Sequence, residues 1–348
     1  MLHQNEAPSA RGARRAQGSP ASEHSDAMPH AAKPFSRGAE VFGFRRLLYS
    51  PFLVQLVVTR RCNLACAYCN EHNHDSTPVP TDVLRARVDK IRSLGTFAIE
   101  FTGGEPLLHP DVVELVAHCT FRGFVKRMLI TNGLLLDEQR ILELGQAGLT
   151  DLQISVDGVS CNARTRKTLD NLQGKLELLA QKATFKVTLN AVIGSTDPRE
   201  ATEVLRVARS LGFIPRVGLI HDGNGAIKLS DEQRTVYHDL SRALGKSQFR
   251  LAREYLPKML AGKPAAFKCR AGSRYLYVDE LGKVKYCSQK RDWFSKDLLT
   301  YTYADLVRQF NQPKACAAWC TIGCVRNNSK VDELRPQPGS QAGTDEPA

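Results

Sequence analysis

The sequence predicts an α/β fold: a partial (β/α)6 TIM-like barrel followed by a small Cys-rich C-terminal domain containing a β-hairpin. Three observations predict it. Six short apolar or β-branched runs alternate with stretches of helical apolar spacing between residues 53 and 222. Three cysteines crowd the loop after the first run. From Phe267 the alternation gives way to a hairpin pattern with five further cysteines around it.

Taken in order, residues 1–40 are rich in Ala, Ser, Gly, Pro and Arg, lack apolar periodicity, and are expected to be a disordered tail. The barrel core is expected over 41–228. The run from Leu53 to Val58 is short, β-branched and bounded by polar residues, so it reads as a buried strand. A helix is expected over 81–94, with Leu84, Val88, Ile91 and Leu94 on one face and Thr81 or Asp82 as cap. Strands over 97–102, 127–131, 151–156, 185–193 and 215–220 then alternate with helices over 112–121, 138–147, 169–183 and 200–211. Right-handed crossovers would wrap such units into a curved parallel sheet. Six units fall short of a closed eight-stranded barrel, hence the partial barrel.

A helical linker is expected over 229–264, with helices at 230–244 and 251–260. The cysteine-rich domain is expected over 265–330. Its hairpin pairs 274–279 with 283–286 around Glu280-Leu281-Gly282, and a short helix covers 303–310. Residues 331–348 are polar, rich in Pro and Gly, and are expected to be a second disordered tail.

Of 348 residues, 42% are hydrophobic and 24% charged, a soluble globular composition. No apolar stretch reaches membrane-spanning length, so no membrane partner is expected. The amino terminus lacks the hydrophobic segment of a secretory signal. Its arginines and serines resemble a transit peptide, but Glu6, Glu23, Asp26 and Glu40 count against one. Ten cysteines without an export signal imply metal or redox chemistry in a reducing compartment, so the cytoplasm is expected. The net charge of +12 is dispersed, with no aromatic-basic stripe. That favours a solvated surface over a nucleic-acid partner.

Cys62, Cys66 and Cys69 follow the first strand in the spacing C-x3-C-x2-C. Three thiolates under-ligate a four-coordinate centre. A cubane cluster on three cysteines leaves one iron open to an outside ligand. His72 or His74 would instead complete a Cys3His zinc site. Three unliganded thiols are the third possibility. After the second strand stands Thr102-Gly103-Gly104-Glu105-Pro106. Two glycines admit a close backbone approach, and Glu105 offers a carboxylate to a cation. A tight strand-to-helix turn would explain the same residues.

The triplet, with Tyr68 before its third cysteine, and the Gly-Gly-Glu turn one unit later together resemble the radical S-adenosylmethionine (radical SAM) superfamily. The resemblance covers roughly residues 50–325. It implies a [4Fe-4S] cluster on Cys62, Cys66 and Cys69, with S-adenosylmethionine on the open iron. It implies reductive cleavage of that cofactor to methionine and a 5′-deoxyadenosyl radical, which takes a hydrogen atom from a substrate. It implies cofactor contacts from Tyr68, Gly103, Gly104, Glu105, Asn132, Ser155, Asp157 and Asn190, with Ile193-Gly194 beside the adenine. An electron donor such as a flavodoxin or ferredoxin is implied as partner.

Cys269, twelve residues, Gly282, four residues and Cys287 resemble the opening of the SPASM and twitch auxiliary-cluster domains of that superfamily. A hairpin brings its two flanking cysteines together. Cys316, Cys320 and Cys324 supply further thiolates, although their C-x3-C-x3-C spacing departs from the closer pair usual there. Five thiolates fill one four-thiolate site, so one auxiliary [4Fe-4S] cluster is expected, with one thiol spare or on an incomplete second cluster. A zinc knuckle is the alternative. Cys119 is expected in the core and Cys161 in a plain loop. His221 and Asp222 close the sixth strand, either as substrate contacts or as a turn. Members with such C-terminal domains modify peptides, sulfatases, carbohydrates and cofactor precursors. A peptide substrate would need a partner protein or another binding surface, because the tail leaves no room for a recognition domain. The competing reading is a non-catalytic iron–sulfur electron relay or RNA-binding protein. The intact Gly-Gly-Glu turn argues for catalysis.

Overall fold

The first strand, β1 (Leu53–Thr59), is buried along its whole length, as its β-branched run requires. The computed structural model describes residues 47–69, 71–221, 226–244 and 252–333. The expected tail 1–40, most of the expected tail 331–348, and Asp222 lie outside the described residues. After β1 come α1 (Thr81–Ser93), β2 (Ala98–Gly103), α2 (Val112–Phe121), β3 (Lys126–Thr131), α3 (Glu138–Gln146) and β4 (Asp151–Val156). α4 (Leu169–Lys182), β5 (Lys186–Ile193), α5 (Glu200–Ser210) and β6 (Ile214–Leu219) complete the barrel. Neighbouring strands from β1 to β6 pair in parallel and in chain order, each pair joined by one crossover helix. The expected cap of α1 is corrected. Pro80 holds the capping position without a side-chain bond, and the Thr81 hydroxyl donates instead to Asp111.

Helices α6 (Asp231–Ala243) and α7 (Ala252–Leu260) follow β6. The hairpin then forms as its sequence predicts, from β7 (Tyr275–Val278) and β8 (Lys283–Lys285). Gly282 sits in its turn at φ +76°, where a Cβ would lie 2.8 Å from the Arg87 guanidinium of α1. A short third strand, β9 (Lys296–Asp297), pairs with β8, and α8 (Tyr303–Asn311) and α9 (Gly323–Lys330) follow.

β7 also pairs in parallel with β1, so the hairpin extends the barrel's own sheet in the order β6-β5-β4-β3-β2-β1-β7-β8-β9. Barrel and cysteine-rich segment belong to one compact unit. Arg274 fastens this join. It is buried, donates to Leu47 O and Ser50 O, and holds Asp332 through two bonds of 2.7 and 3.0 Å. Asp332, placed by the sequence in the C-terminal tail, is therefore part of the folded unit.

Strand alternation sorts the sheet's two faces. Val54, Leu56, Val58, Ile99 and Phe101 join the main core with the apolar residues of the surrounding helices. Leu53, Val57 and Ala98 point the other way and pack with Cys269, Cys287, Tyr275 and Tyr277. The C-terminal cysteines thus rest on the inner face of the barrel sheet. No helix among the described residues is long and apolar enough to cross a membrane.

Candidate functional site

The loop leaving β1 closes on itself. Cys62 N donates to Asn73 O (3.0 Å) and Asn73 N to Arg60 O (2.8 Å). Within it, Leu64 N donates to Cys62 Sγ and Glu71 N to Cys69 Sγ, each at 3.4 Å. Burial pushes the Cys62 thiol up to about 11; the Leu64 N–H opposes this, while Glu105, Cys69 and Cys66 add to it. Burial also raises Cys66, against the pull of Lys167 and a Thr165 hydrogen bond. The three sulfurs therefore stand within electrostatic reach of one another. His74 Nδ1 lies against Cys62 O, 3.1 Å away.

The Gly-Gly-Glu turn fits under this loop. A Cβ on Gly103 (φ +148°) would lie 2.0 Å from Thr59 O, and one on Gly104 2.4 Å from both Arg60 O and Arg61 O. The close approach the glycines permit is that of the cysteine loop's own backbone. Gly104 N and Glu105 N bond Thr59 O and Arg61 O, each at 2.9 Å. Glu105 is fully buried. Its Oε1 accepts from Leu107 N (3.0 Å) and the Thr131 hydroxyl (2.7 Å), its Oε2 from Asn132 N (2.8 Å). A carboxylate has about four acceptor sites, so one remains, on Oε2. Burial raises the Glu105 carboxyl, and the bonds from Asn132, Thr131 and Leu107 counter it. Asn132 Nδ2 donates to Asn63 Oδ1 (2.7 Å), tying the third unit to the same loop.

Tyr68 points to the fourth unit and donates its hydroxyl to Asp157 Oδ2 (2.6 Å). Lys167 completes this contact. Its Nζ lies 3.4 Å from Asp157 Oδ1 and 5.0 Å above the Tyr68 ring. Lys167, Thr165, Thr131 and Asn63 were not singled out from the sequence. Each acts from a loop or strand end across a long sequence separation, and only the triplet's position hinted at partners there. Tyr68 also lines a cavity of about 340 Å³ with Ala67, Gly194, Ile220, His221 and Leu229. Ser155 and Asn190 are register partners on β4 and β5. With Gln153, Thr188 and Arg216 they form a half-open polar strip on the inner face. Asn190 Oδ1 is buried without a hydrogen-bond partner.

The five C-terminal cysteines stand within electrostatic reach of one another. Cys287 is raised to about 11 by burial first, with Cys269 and Cys316 adding to it. Cys320 is raised by burial and by Cys269 and Cys287. Cys324 is raised to about 11 by burial, then Glu100, with Cys287 a smaller cause. Cys269, Cys287, Cys320 and Cys324 share one apolar cluster with Tyr275, Ile322 and Val325. Against that burial, the backbone N–H groups of Ala271, Gln289 and Ile322 pull Cys269, Cys287 and Cys320 down. Cys119 is buried in the core and Cys161 is exposed.

All of these cysteines are free thiols. The donor sets fit iron–sulfur clusters. They are all-sulfur, they fall in two groups, and an N–H two residues on approaches Cys62 and Cys69, while backbone N–H groups also lower Cys269, Cys287 and Cys320. Such bonds stabilise the thiolate form. Among the described residues no three His, Cys, Asp or Glu side chains converge on a single-ion position.

Residues 56–225 match the Radical SAM superfamily. The AdoMet-dependent heme synthase of Methanosarcina barkeri is 27% identical over 271 residues, 68% of this chain and 77% of that protein. The PqqA peptide cyclase of Bradyrhizobium diazoefficiens is 31% identical over 180 residues, 50% of this chain but 46% of the cyclase. In fold, the chain resembles Streptococcus suis SuiB, solved bound to precursor peptide SuiA. The TM-score is 0.60 at 14% identity, over 76% of this chain and 66% of that one.

Proposed function

Because the chain belongs to the radical SAM superfamily, we propose that its own substrate is a peptide, received on the inner face of the barrel between the two cysteine sets. The enzyme class is that of its family: S-adenosylmethionine and a [4Fe-4S] cluster are its cofactors. That cluster, when bound, supplies the electron that cleaves S-adenosylmethionine and so starts hydrogen-atom abstraction.

In this reading Cys62, Cys66 and Cys69 hold the cluster. The free acceptor site on Glu105 Oε2 takes the cofactor's ammonium, and the ammonium keeps that buried carboxyl ionised. Tyr68 and the Gly194 cavity hold the nucleoside, with Lys167 fixing Asp157 and Tyr68 as a unit. Gly103 and Gly104 position Glu105 by letting the cysteine loop pass over them. Asn132 steadies that loop, and Ser155 and Asn190 face the ribose and carboxylate. The C-terminal thiols hold one auxiliary [4Fe-4S] cluster.

The observation that carries this reading is the N–H approach to the Cys62 and Cys69 sulfurs beside a carboxylate with a single acceptor site left. The peptide assignment draws support from the printed activities of relatives, a peptide cyclase among them. The half-open polar strip on β4–β6 supports it further, since it offers room and hydrogen-bonding groups opposite the auxiliary thiols. Anaerobic reconstitution with iron and sulfide, followed by dithionite and S-adenosylmethionine, should yield 5′-deoxyadenosine. Adding precursor peptides encoded beside the gene should raise that yield and change a peptide's mass. No 5′-deoxyadenosine from fully loaded protein would overturn the catalytic assignment; 5′-deoxyadenosine with every peptide unmodified would overturn the substrate.

A further inference from the structure

Glu71 lies two residues after Cys69, and its backbone N–H is the one that reaches Cys69 Sγ. Its side chain is held from two distant parts of the chain. Arg60 Nη1 donates to Oε2 at 3.0 Å, from the start of the same loop. The Tyr277 hydroxyl donates to the same oxygen at 2.8 Å, from β7. Arg291 forms an ion pair with Oε1. Arg291 follows Cys287 by four residues and is braced by its own bond to Ser288 O (2.9 Å). Its guanidinium also lies 5.7 Å above the Tyr277 ring. All three charged side chains are largely buried, at 14% to 22% exposure, so the cluster is better shielded from solvent than a surface pair.

One carboxylate thus joins a ligand of the first cysteine set to the backbone that carries a ligand of the second. The arms are short, two residues on one side and four on the other. Resting on the reading above, we propose that Glu71 is a positioning residue that couples the two sets. It orients the Cys69 sulfur through its N–H, and takes its own position from Arg291 and Tyr277. Filling or emptying the C-terminal thiols then changes the first centre without any residue touching both. A merely structural clamp would stabilise the fold and leave the first centre's electronic properties unchanged.

The test uses the full chain, reconstituted anaerobically, as Glu71→Gln, Arg291→Ala and Arg291→Lys. Each is read by the paramagnetic resonance spectrum and midpoint potential of the first centre, and by titrating that spectrum with S-adenosylmethionine. Glu71→Gln and Arg291→Ala should shift the potential and raise the half-saturating cofactor concentration about tenfold, the lower end for losing a charge-assisted bond. Arg291→Lys, which keeps the pair, should stay within about twofold. In iron-free protein, amide exchange across 62–74 should quicken in the first two variants only. In a Cys269→Ala/Cys287→Ala background the effect of Glu71→Gln should disappear, because its distant anchor is already loosened. Equal effects in both backgrounds, or an unchanged first centre in Arg291→Ala, would overturn the coupling. If Glu71→Gln loses its iron, Arg291→Ala decides. Wild-type protein whose spectrum ignores S-adenosylmethionine would defeat the cofactor assignment instead, so the two failures are distinct.

Discussion

The two cysteine sets stand in different surroundings. Cys62 and Cys69 are partly exposed, on a loop at the mouth of the barrel, next to a cavity and an incompletely satisfied carboxylate. Cys66 of that set is buried. In the second set Cys269 and Cys287 are buried among Tyr275, Tyr277, Leu53 and Val57, while Cys316, Cys320 and Cys324 are half-buried, so the sealed part is this pair. An open set suits a centre that must meet a ligand and exchange it. A sealed set suits a centre that stays and passes electrons or orders its surroundings. The same fold can hold both because one lies on the loop leaving β1 and the other rests against the inner face of the sheet.

Emptying one set at a time breaks the comparison most directly. The triple variant Cys62→Ala/Cys66→Ala/Cys69→Ala should lose all formation of 5′-deoxyadenosine. It should keep about four of about eight irons, four per cubane. Retention of all the iron would show that the first loop binds none. Its fold should change little, since those thiols add little to the core.

The Cys269→Ala/Cys287→Ala variant should behave in reverse. About half the iron is lost, slow cofactor cleavage with dithionite persists, and substrate turnover fails. From the sequence, the damage would stop near residue 265, because the barrel has its own core. The β7–β1 pairing carries it further: amide exchange should quicken in β1 as well as in 265–330. Normal protection of β1 in protein shown to lack the second centre would separate the two halves after all.

Glu105→Gln comes next in size. It keeps the volume but replaces a charged acceptor with a neutral one whose amide now faces N–H donors. S-adenosylmethionine should bind roughly ten- to hundredfold more weakly, about 1.5–3 kcal/mol for a charge-assisted bond. Calorimetric titration giving an unchanged affinity would leave Glu105 as the anchor of Leu107, Thr131 and Asn132 alone.

What could be read in the sequence was local. Apolar spacing placed six strands and their helices, because burial on a helix or strand repeats every few residues. The triplet and the Gly-Gly-Glu turn were legible because ligation and tight turns fix spacing. Long-range arrangements were not. Nothing in the hairpin's sequence says that Tyr275 donates to Gln55, 220 residues earlier, or that Gln55 passes the chain of bonds to Glu100. Nothing in the sequence marks Glu71; its three partners lie at 60, 277 and 291. Gly103 and Gly104 were recognised, but what they make room for needed coordinates.

The smallest effect concerns the scaffold of the sealed set. Asp305, in the first turn of α8, accepts from Lys296 Nζ (2.7 Å) and from Thr302 N and Oγ1 (2.8 Å each). Burial works to raise its carboxyl, but the bonds from Lys296 and Thr302 outweigh this and bring it down from 3.8 to about 2. A carboxyl whose folded value is depressed stabilises the fold above its unfolded value and loses that contribution as pH falls towards the folded one. The window therefore runs from about pH 4 down to about pH 2, and the contribution is at most about 2 kcal/mol. Asp305→Asn should lower stability by up to that amount at pH 7, measured by urea unfolding of iron-free protein. The difference from wild type should shrink from about pH 4 and vanish only as pH falls through about 2. Amide exchange should quicken in α8 and stay unchanged in residues 62–74, because Asp305 bonds Lys296, Thr302 and Arg308 and reaches neither Glu71 nor its partners. A difference of equal size at both pH values would mean that Asp305 acts by packing rather than by charge, and faster exchange in the loop would tie the open set to a brace it does not contact.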